Sequence, residues 1–379
     1  MKVGIITLPL QTNYGGILQA YALQTYLERR GHDVQVIDYN GEQSYKLSIR
    51  NMPLVYAKRI IENLLGNPVP IFLEQKRNRE RAVVRQNTDK FIEKYIHRFP
   101  ITDFSQIDAN NFDAFVVGSD QVWRPRYFEM SYKSNISNAY LSFSKSWNVL
   151  RISYAASFGV DLWEYNRYQT KECRELLATF DAISVREDSA IHLCERYLGV
   201  SAEHMIDPTM LLSVEDYIHL IDNANPPQSQ GQILSYILDN NKDKEQIQGY
   251  ISRKTGYRIF SVIAKNDDFR SDISSRIQPS VESWLKGFLD AKLVITASFH
   301  ACVFSILFRK PFYAIINERR GASRFKSLLK LFGLEDRIID IKFIGSDINV
   351  QPISESVYQK LTELKSKSEH FLNLFKYEQ

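Results

Sequence analysis

The sequence predicts an α/β protein built on two parallel β-sheets. Short apolar runs rich in β-branched residues alternate with helical patterns along most of the 379 residues, which is typical of βαβ units whose sheets are buried on both faces. A polar segment rich in Asn, Gln and Pro, residues 222–231, separates two such series, because it cannot continue a helix or a central strand. The length also fits two domains of roughly 100–200 residues each.

The two series give the expected order of strands. The first predicts strands at Val3–Thr7, Asp33–Tyr39, Ala114–Gly118, Ile152–Ser157, Ala182–Val185 and His204–Ile206. The second predicts strands at Ile233–Leu238, Arg258–Ile263, Leu293–Ala297, Phe312–Ile316 and Ile338–Ile341. We therefore expect a first domain over residues 1–224, a second over 225–349 and a C-terminal amphipathic helix over 350–379.

Residues 45–110 interrupt the first series with charged, helix-like sequence and are predicted to be an insertion in the first domain. Between residues 45 and 98, twelve Lys and Arg face five acids, a local net charge of +7 in a chain whose total is +4. Such a segment suits an anionic membrane face or phosphate. It equally suits a solvated helical surface with interleaved charges.

Composition excludes several classes of protein. With 44% hydrophobic and 24% charged residues, the chain is not disordered, collagen-like or a coiled coil. No run approaches 18 uncharged apolar residues, so we expect no membrane-spanning segment. Three scattered cysteines fit neither a disulfide framework nor a metal site and predict an intracellular, cytoplasmic protein. The small net charge gives no reason to expect a nucleic-acid partner.

The first predicted strand leads to a glycine-containing turn, Asn13-Tyr14-Gly15-Gly16, directly before a helix. Glycines there let backbone N–H groups approach a ligand, and a helix N-terminus favours an anion. A tight turn with a closely packed helix explains them equally well. The GxGxxG pattern is absent, so Asp38 on the next strand is not expected to bind a dinucleotide ribose.

Two further strands end in polar residues. Ser119, Asp120 and Trp123 follow the third predicted strand, where open α/β sheets bind ligands. Ser119 and Asp120 could instead cap a helix, and Trp123 could stack on a sugar or fill the core. Arg186 ends the strand Ala182–Val185, where its guanidinium could clamp an anion or pair with a neighbouring acid.

The second series contains the segment Ser298-Phe299-His300, between a strand and an apolar helix. A histidine at a helix N-terminus can exchange protons near neutral pH, and the helix end can help to hold an anion. A structural histidine, with both ring nitrogens satisfied inside the protein, is the alternative. Cys302, beside Val303, is expected to be a buried, inert thiol. Arg319, Arg320 and Arg324 lie just before or within the next helix and suit phosphate or a small polyanion. They could instead form a solvated basic turn. No residue spacing predicts a metal site.

Together these segments resemble the polysaccharide pyruvyl transferase family. The resemblance rests on NYGGILQAYALQ at 13–24, Gly118–Trp123, Tyr154–Gly159, Ser184–Glu187, Asp207–Thr209, Ser283–Leu285, Ser298–His300, Arg324-Phe325 and Gly333–Arg337, in this order. The segment around His300 departs from the family, which often has Asp and Gly where this chain has Ala297 and Ala301.

The resemblance implies an enzyme that moves the pyruvyl unit of phosphoenolpyruvate onto a sugar, usually as a ketal across two hydroxyls, in exopolysaccharide or capsule biosynthesis. It implies two Rossmann-like domains facing across a cleft, as in GT-B glycosyltransferases, and no cofactor or metal. The implied catalytic residues are His300 and Arg186. Donor binding falls on Arg186, Ser298, His300 and Arg319 or Arg320. Acceptor binding falls on Asn13, Tyr14, Gly15, Gly16, Ser119, Asp120 and Trp123.

The expected partners are phosphoenolpyruvate and a sugar or lipid-linked oligosaccharide, with peripheral contact at the inner face of an anionic membrane. Two alternatives stay open. A nucleotide-sugar glycosyltransferase of the same architecture would use the arginines for a diphosphate. A non-catalytic subunit of a polysaccharide assembly complex would not need His300 at all.

Overall fold

The computed structural model describes residues 1–40, 47–48, 50–66, 69–265, 268–269, 271–316 and 321–375. Within these residues the first sheet has seven strands, in the spatial order β3-β2-β1-β4-β5-β6-β7. They are β1 (Lys2–Ile6), β2 (Asp33–Tyr39), β3 (Arg98–Ile101), β4 (Ala114–Val117), β5 (Leu150–Ala156), β6 (Ala182–Val185) and β7 (Glu203–His204). Their pairings are parallel.

Helices cover both faces of this sheet. The helices of this half are α1 (Tyr14–Glu28), α2 (Met52–Leu64), α3 (Leu73–Tyr95), α4 (Pro125–Tyr132), α5 (Arg167–Leu177), α6 (Asp188–Leu193) and α7 (Val214–Ala224). Of these, α2 buries no residue. Neighbouring residues of one strand enter different cores: Val116 packs into one, while Phe115 and Val117 pack into the other. This double burial explains why the strands are continuous apolar runs instead of alternating ones.

The second sheet follows the polar segment at residues 225–231. Its strands are β8 (Ile233–Tyr236), β9 (Ile259–Phe260), β10 (Leu293–Thr296) and β11 (Phe312–Ala314), again parallel, in the order β11-β10-β8-β9. Its helices are α8 (Lys242–Thr255), α9 (Val281–Asp290), α10 (Phe299–Leu307) and α11 (Ala322–Phe332). The predicted α/β class, with two facing GT-B-like halves, is confirmed.

Two strands differ from the prediction. The insertion contains the expected helices α2 and α3, but β3, which was not predicted, also lies inside it and pairs with β2 at the edge of the sheet. Pro100 is compatible with that position, since an edge strand needs fewer backbone donors. The strand predicted at Ile338–Ile341 is reduced to a single bridge between Ile338 and Ala314.

The last helix, α12 (Glu355–Leu372), returns to the first half. Phe371 packs against Tyr154, with ring centroids 6.2 Å apart, and the Lys365 ammonium donates to the carbonyl oxygen of Leu212 at 2.8 Å. The prediction that this segment is a helix packed on the domains is therefore confirmed, although it contacts both: Glu355 at its start pairs with Arg309 of the second half at 3.0 Å. The expected domain boundaries stay predictions.

Aromatic side chains join the two halves. Tyr14, at the start of α1, stacks on Trp284 of α9 with centroids 5.3 Å apart, and its hydroxyl donates to the carbonyl oxygen of Pro279 at 2.7 Å. Tyr217 of α7 meets Phe304 of α10 edge-on at 5.0 Å. Because both pairs are buried, they hold the carboxyl ends of the two sheets against each other.

Candidate functional site

Polar side chains from four strand ends converge between the two sheets. Asp120 lies just after β4, Arg186 after β6 and Asp207 after β7, whereas His300 follows β10 of the second sheet. The carboxyl ends of parallel strands are where open α/β sheets bind ligands. Because the three residues of the first sheet lie next to His300 of the second, we take the space between the two sheets as the candidate site.

Arg186 lies between two carboxylates. Its guanidinium donates to Asp207 Oδ2 at 2.8 Å and to Asp120 Oδ1 at 3.1 Å, and it lies 4.6 Å from the centre of the Phe299 ring. The Arg186 side chain is only 1% exposed. It therefore fixes the two aspartates instead of facing solvent, which corrects the expectation of a direct anion clamp.

The aspartates are ionised in spite of their burial. Burial alone would raise the pKa of Asp207, but the nearby His300, with Arg186 and Thr209, holds that pKa well below its usual range. The pKa of Asp120 is likewise lowered by Arg186, His300 and Arg324 against the effect of burial. The same carboxylates raise the pKa of Arg186, although burial opposes them.

His300 is held between Asp207 and Gly15. Its Nε2 atom lies 3.5 Å from Asp207 Oδ2, while its Nδ1 side packs against the backbone of Gly15. A Cβ atom at Gly15 would overlap the imidazole ring. The glycine therefore makes room for the ring, which explains why the first turn of α1 lacks a side chain here.

A cavity of about 300 Å³ opens in front of His300. Its walls include Asn13, Asp120, Tyr127, Ser298, His300 and Arg324. Residues at or near the starts of α1, α10 and α11 line it, and neither Asn13 nor Ser298 caps its helix through the side chain. Because first-turn N–H groups lack partners within a helix, the arrangement suits an anion.

Arg324 contributes a guanidinium group to the wall of this cavity. It is 8% exposed and lies 3.8 Å from Asp120 Oδ1. Burial and the nearby Arg186 lower its pKa to about 10, which Asp120 and Glu187 partly offset. An anionic ligand in the cavity would relieve this unfavourable environment.

Some of the predicted acceptor residues do not reach the cavity. Trp123 is fully buried and stacks on Tyr140, its centroid 5.0 Å away, so it fills the core. Tyr14 is buried against Trp284. Ser119 is buried as well, and its hydroxyl donates to the carbonyl oxygen of Ala155 at 2.7 Å. The prediction that these three residues bind the acceptor is therefore corrected, because their side chains are buried in contacts within the protein.

Other predicted residues lie at or beside the cavity. Asn13, Asp120, Ser298 and His300 line it. Gly16 faces Asn13, with room for a Cβ atom. Arg319 and Arg320 lie outside the described residues.

Sequence reasoning missed the roles of Asp207 and Arg324. Asp207 belongs to the motif Asp207-Pro208-Thr209, and its position after a strand was the available signal. Arg324 was noticed only as part of a basic segment. Cys302 is buried, as predicted, and burial raises the pKa of its thiol. Within the described ranges, no three His, Cys, Asp or Glu side chains form a metal-binding group.

Comparisons with known proteins give one family. The family model for polysaccharide pyruvyl transferase matches residues 13–319. No curated protein sequence matches the chain. Solved structures with a similar chain trace include UDP-N-acetylglucosamine 2-epimerase from Rickettsia bellii, at 11% identity and a TM-score of 0.44, covering 99% of this chain and 96% of that one. The UDP co-structure of MnaA from S. aureus has 13% identity and a TM-score of 0.45, with the same two coverages.

The two adjacent glycines should respond differently to alanine. In Gly15→Ala the new methyl group displaces the His300 ring, whereas in Gly16→Ala it meets only ordinary contacts. Since alanine favours a helix over glycine by about 1 kcal/mol, Gly16→Ala should raise the melting temperature. We expect the His300 imidazole resonances to move in a ¹H–¹⁵N NMR spectrum of Gly15→Ala only. Equal shifts in both variants would contradict this geometry.

The buried Asp207 should make the free energy of unfolding decrease at acid pH. Because the folded-state pKa of Asp207 lies below its unfolded value of about 3.9, its contribution is present above pH 4 and is lost as the pH falls through the folded pKa. Asp207→Asn should lower the free energy of unfolding by about 3–5 kcal/mol at pH 7. The difference from wild type should narrow below pH 4.

Urea unfolding at several pH values measures this difference. The surface variant Asp161→Asn is the control and should stay within about 0.5 kcal/mol of wild type. A difference for Asp207→Asn that remains constant from pH 7 to pH 3 would show that the Asp207 charge does not stabilise the fold.

Proposed function

The chain belongs to the polysaccharide pyruvyl transferase family, and from that premise we propose that it transfers the pyruvyl unit of phosphoenolpyruvate onto two hydroxyls of a sugar. The observation that carries the proposal is the position of His300. Its imidazole lies in a cavity whose walls combine a guanidinium with helix N-termini. A proton-transfer group beside an anion site is what this reaction requires.

The donor carries a carboxylate and a phosphate, so its site needs at least two groups that hold anions. Arg324 supplies one, and the first turns of α10 and α11 supply backbone N–H groups. Ser298 adds a hydroxyl at the start of α10. Arg319 and Arg320 remain proposed donor residues on sequence grounds.

The reaction needs no cofactor in this proposal. A proton adds to the methylene carbon of phosphoenolpyruvate and leaves the central carbon electron-deficient. One sugar hydroxyl adds to that carbon and loses its proton. The C–O bond to phosphate breaks, a second hydroxyl adds, and its proton leaves. The products are inorganic phosphate and a ketal. The two hydroxyls release two protons: one replaces the proton that was added to carbon, and the other leaves with phosphate or solvent.

His300 is the proposed general acid and base. The imidazole of His300 lines the cavity, and we assign the proton transfer to this ring, with Asp207 beside its Nε2 atom. Asp207 is a positioning residue that fixes the ring, and Thr209 holds Asp207 through two hydrogen bonds of 3.0 and 2.7 Å. Arg186 acts in the same indirect way, through both aspartates.

The acceptor sugar is proposed to lie near Asn13 and Asp120, on the wall given by the first half. The Asp120 carboxylate can accept hydrogen bonds from hydroxyls, and the Asn13 amide can donate and accept. A lipid-linked oligosaccharide that is later exported in a capsule or exopolysaccharide is the proposed physiological acceptor.

Activity should depend on His300. With phosphoenolpyruvate and a panel of nitrophenyl glycosides and lipid-linked sugars, we expect acceptor-dependent phosphate release and addition of the pyruvyl mass to the sugar. His300→Gln should reduce kcat by about 10²–10⁴-fold, the usual contribution of general acid–base catalysis. The control His192→Gln, at a side chain 84% exposed, should retain the wild-type rate.

Three outcomes would contradict the proposal. One is the absence of both products across the whole acceptor panel. A second is thermal stabilisation by a nucleoside diphosphate but not by phosphoenolpyruvate, which would favour a glycosyltransferase. The third is restored polysaccharide synthesis in a deletion strain that carries His300→Gln, which would indicate a non-catalytic subunit.

We also propose that α2 contacts an anionic membrane at the cytoplasmic face. Leu54, Ile61 and Leu64 lie on one side of this helix and are 76%, 56% and 82% exposed, the opposite of the usual arrangement in a water-facing helix. Arg50 and Lys58 are exposed nearby and complement anionic headgroups. In the described part of the chain, no helix has the length and apolar character needed to cross a bilayer.

The basic segment contributes less to this surface than its sequence indicates. Arg59 pairs with Glu74 and Arg85 pairs with Asp89, both at 2.7 Å. Arg77 lies over the Phe269 ring, its guanidinium carbon 5.4 Å from the centroid. Several of its charges therefore have partners within the protein, and the exposed apolar residues of α2 are the better variants for a test.

Vesicle binding should depend on these apolar side chains. The triple variant Leu54→Ser, Ile61→Ser, Leu64→Ser should bind vesicles containing phosphatidylglycerol at least tenfold more weakly than wild type in a sedimentation assay. Turnover of a water-soluble acceptor should not change. Leu162→Ser, an exposed leucine elsewhere, is the control. Wild-type protein that fails to sediment with vesicles would refute the contact.

A further inference from the structure

A second polar cavity lies beside the candidate active site. It is formed by the end of β2, one face of α3 and Leu10 of the loop between β1 and α1, and its volume is about 500 Å³. We call it the α3 cavity. A volume of this size is within the usual range for small-molecule sites of roughly 300–1,000 Å³.

The charged side chains that line the α3 cavity are balanced in sign. Three arginines and three acids are among them: Arg81, Arg85, Arg98, Asp38, Asp89 and Glu93. Because positive and negative groups are equal in number, the cavity gives an anion no net attraction. Carboxylates accept and guanidinium groups donate several hydrogen bonds each, so together they match the neighbouring hydroxyls of a neutral sugar.

Several of these groups are already fixed in place. Asp38 is 7% exposed and accepts a hydrogen bond from the backbone N–H of Leu10 at 3.2 Å, with Arg98 at 3.4 Å. Arg85 donates to Asp89 at 2.7 Å and to the carbonyl oxygen of Leu10 at 3.2 Å. Side chains that are ordered before binding lose less conformational entropy when a ligand arrives.

The α3 cavity is close to the candidate active site. Leu10 lines the first and Asn13 lines the second. Three residues of chain span at most about 10 Å, so a short oligosaccharide can reach both cavities at once.

We infer that the α3 cavity binds a neutral sugar unit of the acceptor next to the unit that receives the pyruvyl group. This inference rests on the proposed function. It assigns a role to the inserted helix α3, which supplies most of the cavity's charged side chains, and it gives the oligosaccharide acceptor proposed above a second binding site on the protein.

The test fills the cavity without removing a polar group. Ala82 lines it from the exposed side of α3, so Ala82→Trp places an indole there. Val83→Trp is the matched control, because Val83 is the next residue, is 40% exposed and does not line the cavity. Two acceptors serve as probes. The first is the oligosaccharide repeat of the producer's glycan, from which mild acid has removed the pyruvyl groups. The second is a nitrophenyl glycoside of the one sugar that receives the pyruvyl group.

We expect Ala82→Trp to lower kcat/KM for the oligosaccharide at least tenfold, mainly through KM, and to leave the nitrophenyl glycoside within twofold of wild type. Val83→Trp should match wild type on both. Equal loss on both substrates, or no loss on the oligosaccharide, would overturn the inference. The melting temperatures of the two variants show whether either one is destabilised. If Ala82→Trp is, the milder variant Asn78→Ala, at another lining residue, must lose kcat/KM for the oligosaccharide alone.

Calorimetric titration of the oligosaccharide without donor separates this inference from the proposed function. Binding that Ala82→Trp abolishes would support the α3 cavity even if phosphoenolpyruvate were never consumed. Absence of binding to a protein that turns over the nitrophenyl glycoside would reject the cavity and retain the function. Displacement of the oligosaccharide by inorganic pyrophosphate, but not by neutral sugars, would identify an anion site and also overturn the inference.

Discussion

The ion pairs of Arg186 with Asp120 and Asp207 are the constraint on which the site depends. The three residues come from the ends of three strands, so the buried guanidinium joins these ends at one edge of the sheet. Asp207 then reaches His300 and Asp120 reaches Arg324, both in the second half. Charges buried this deeply are costly unless paired. The network therefore tolerates few arrangements, and it fixes the imidazole and the second guanidinium together.

The fold class could be predicted from the sequence because burial on both faces leaves a clear signal of short apolar runs. Strand β2 and strand β6 have the predicted bounds. The edge strand β3 could not be found, since Arg98 and Pro100 break the apolar pattern and only pairing with β2 makes it a strand. Edge strands contribute less to the core, so their sequences are less constrained.

The candidate site was predictable in position but not in the direction of its side chains. The rule that ligands bind at carboxyl ends of strands locates Asp120, Arg186 and His300 correctly. The rule does not tell whether a side chain at a strand end faces the ligand or the core. Trp123 and Tyr14 face the core, where they pack on Tyr140 and Trp284. Arg186 was identified as important without its partners, since Asp207 is 21 residues away in sequence and only the fold brings the two together.

The return of α12 to the first half has a mechanical consequence. The polypeptide passes between the halves twice, once near residues 225–231 and again within α12, whose Glu355 pairs with Arg309 of the second half and whose Phe371 packs on Tyr154 of the first. The helix therefore spans the junction, and separating the halves would break its contacts with one of them. It adds to the buried packing of Tyr14 on Trp284 and so helps to keep His300 beside Asp207.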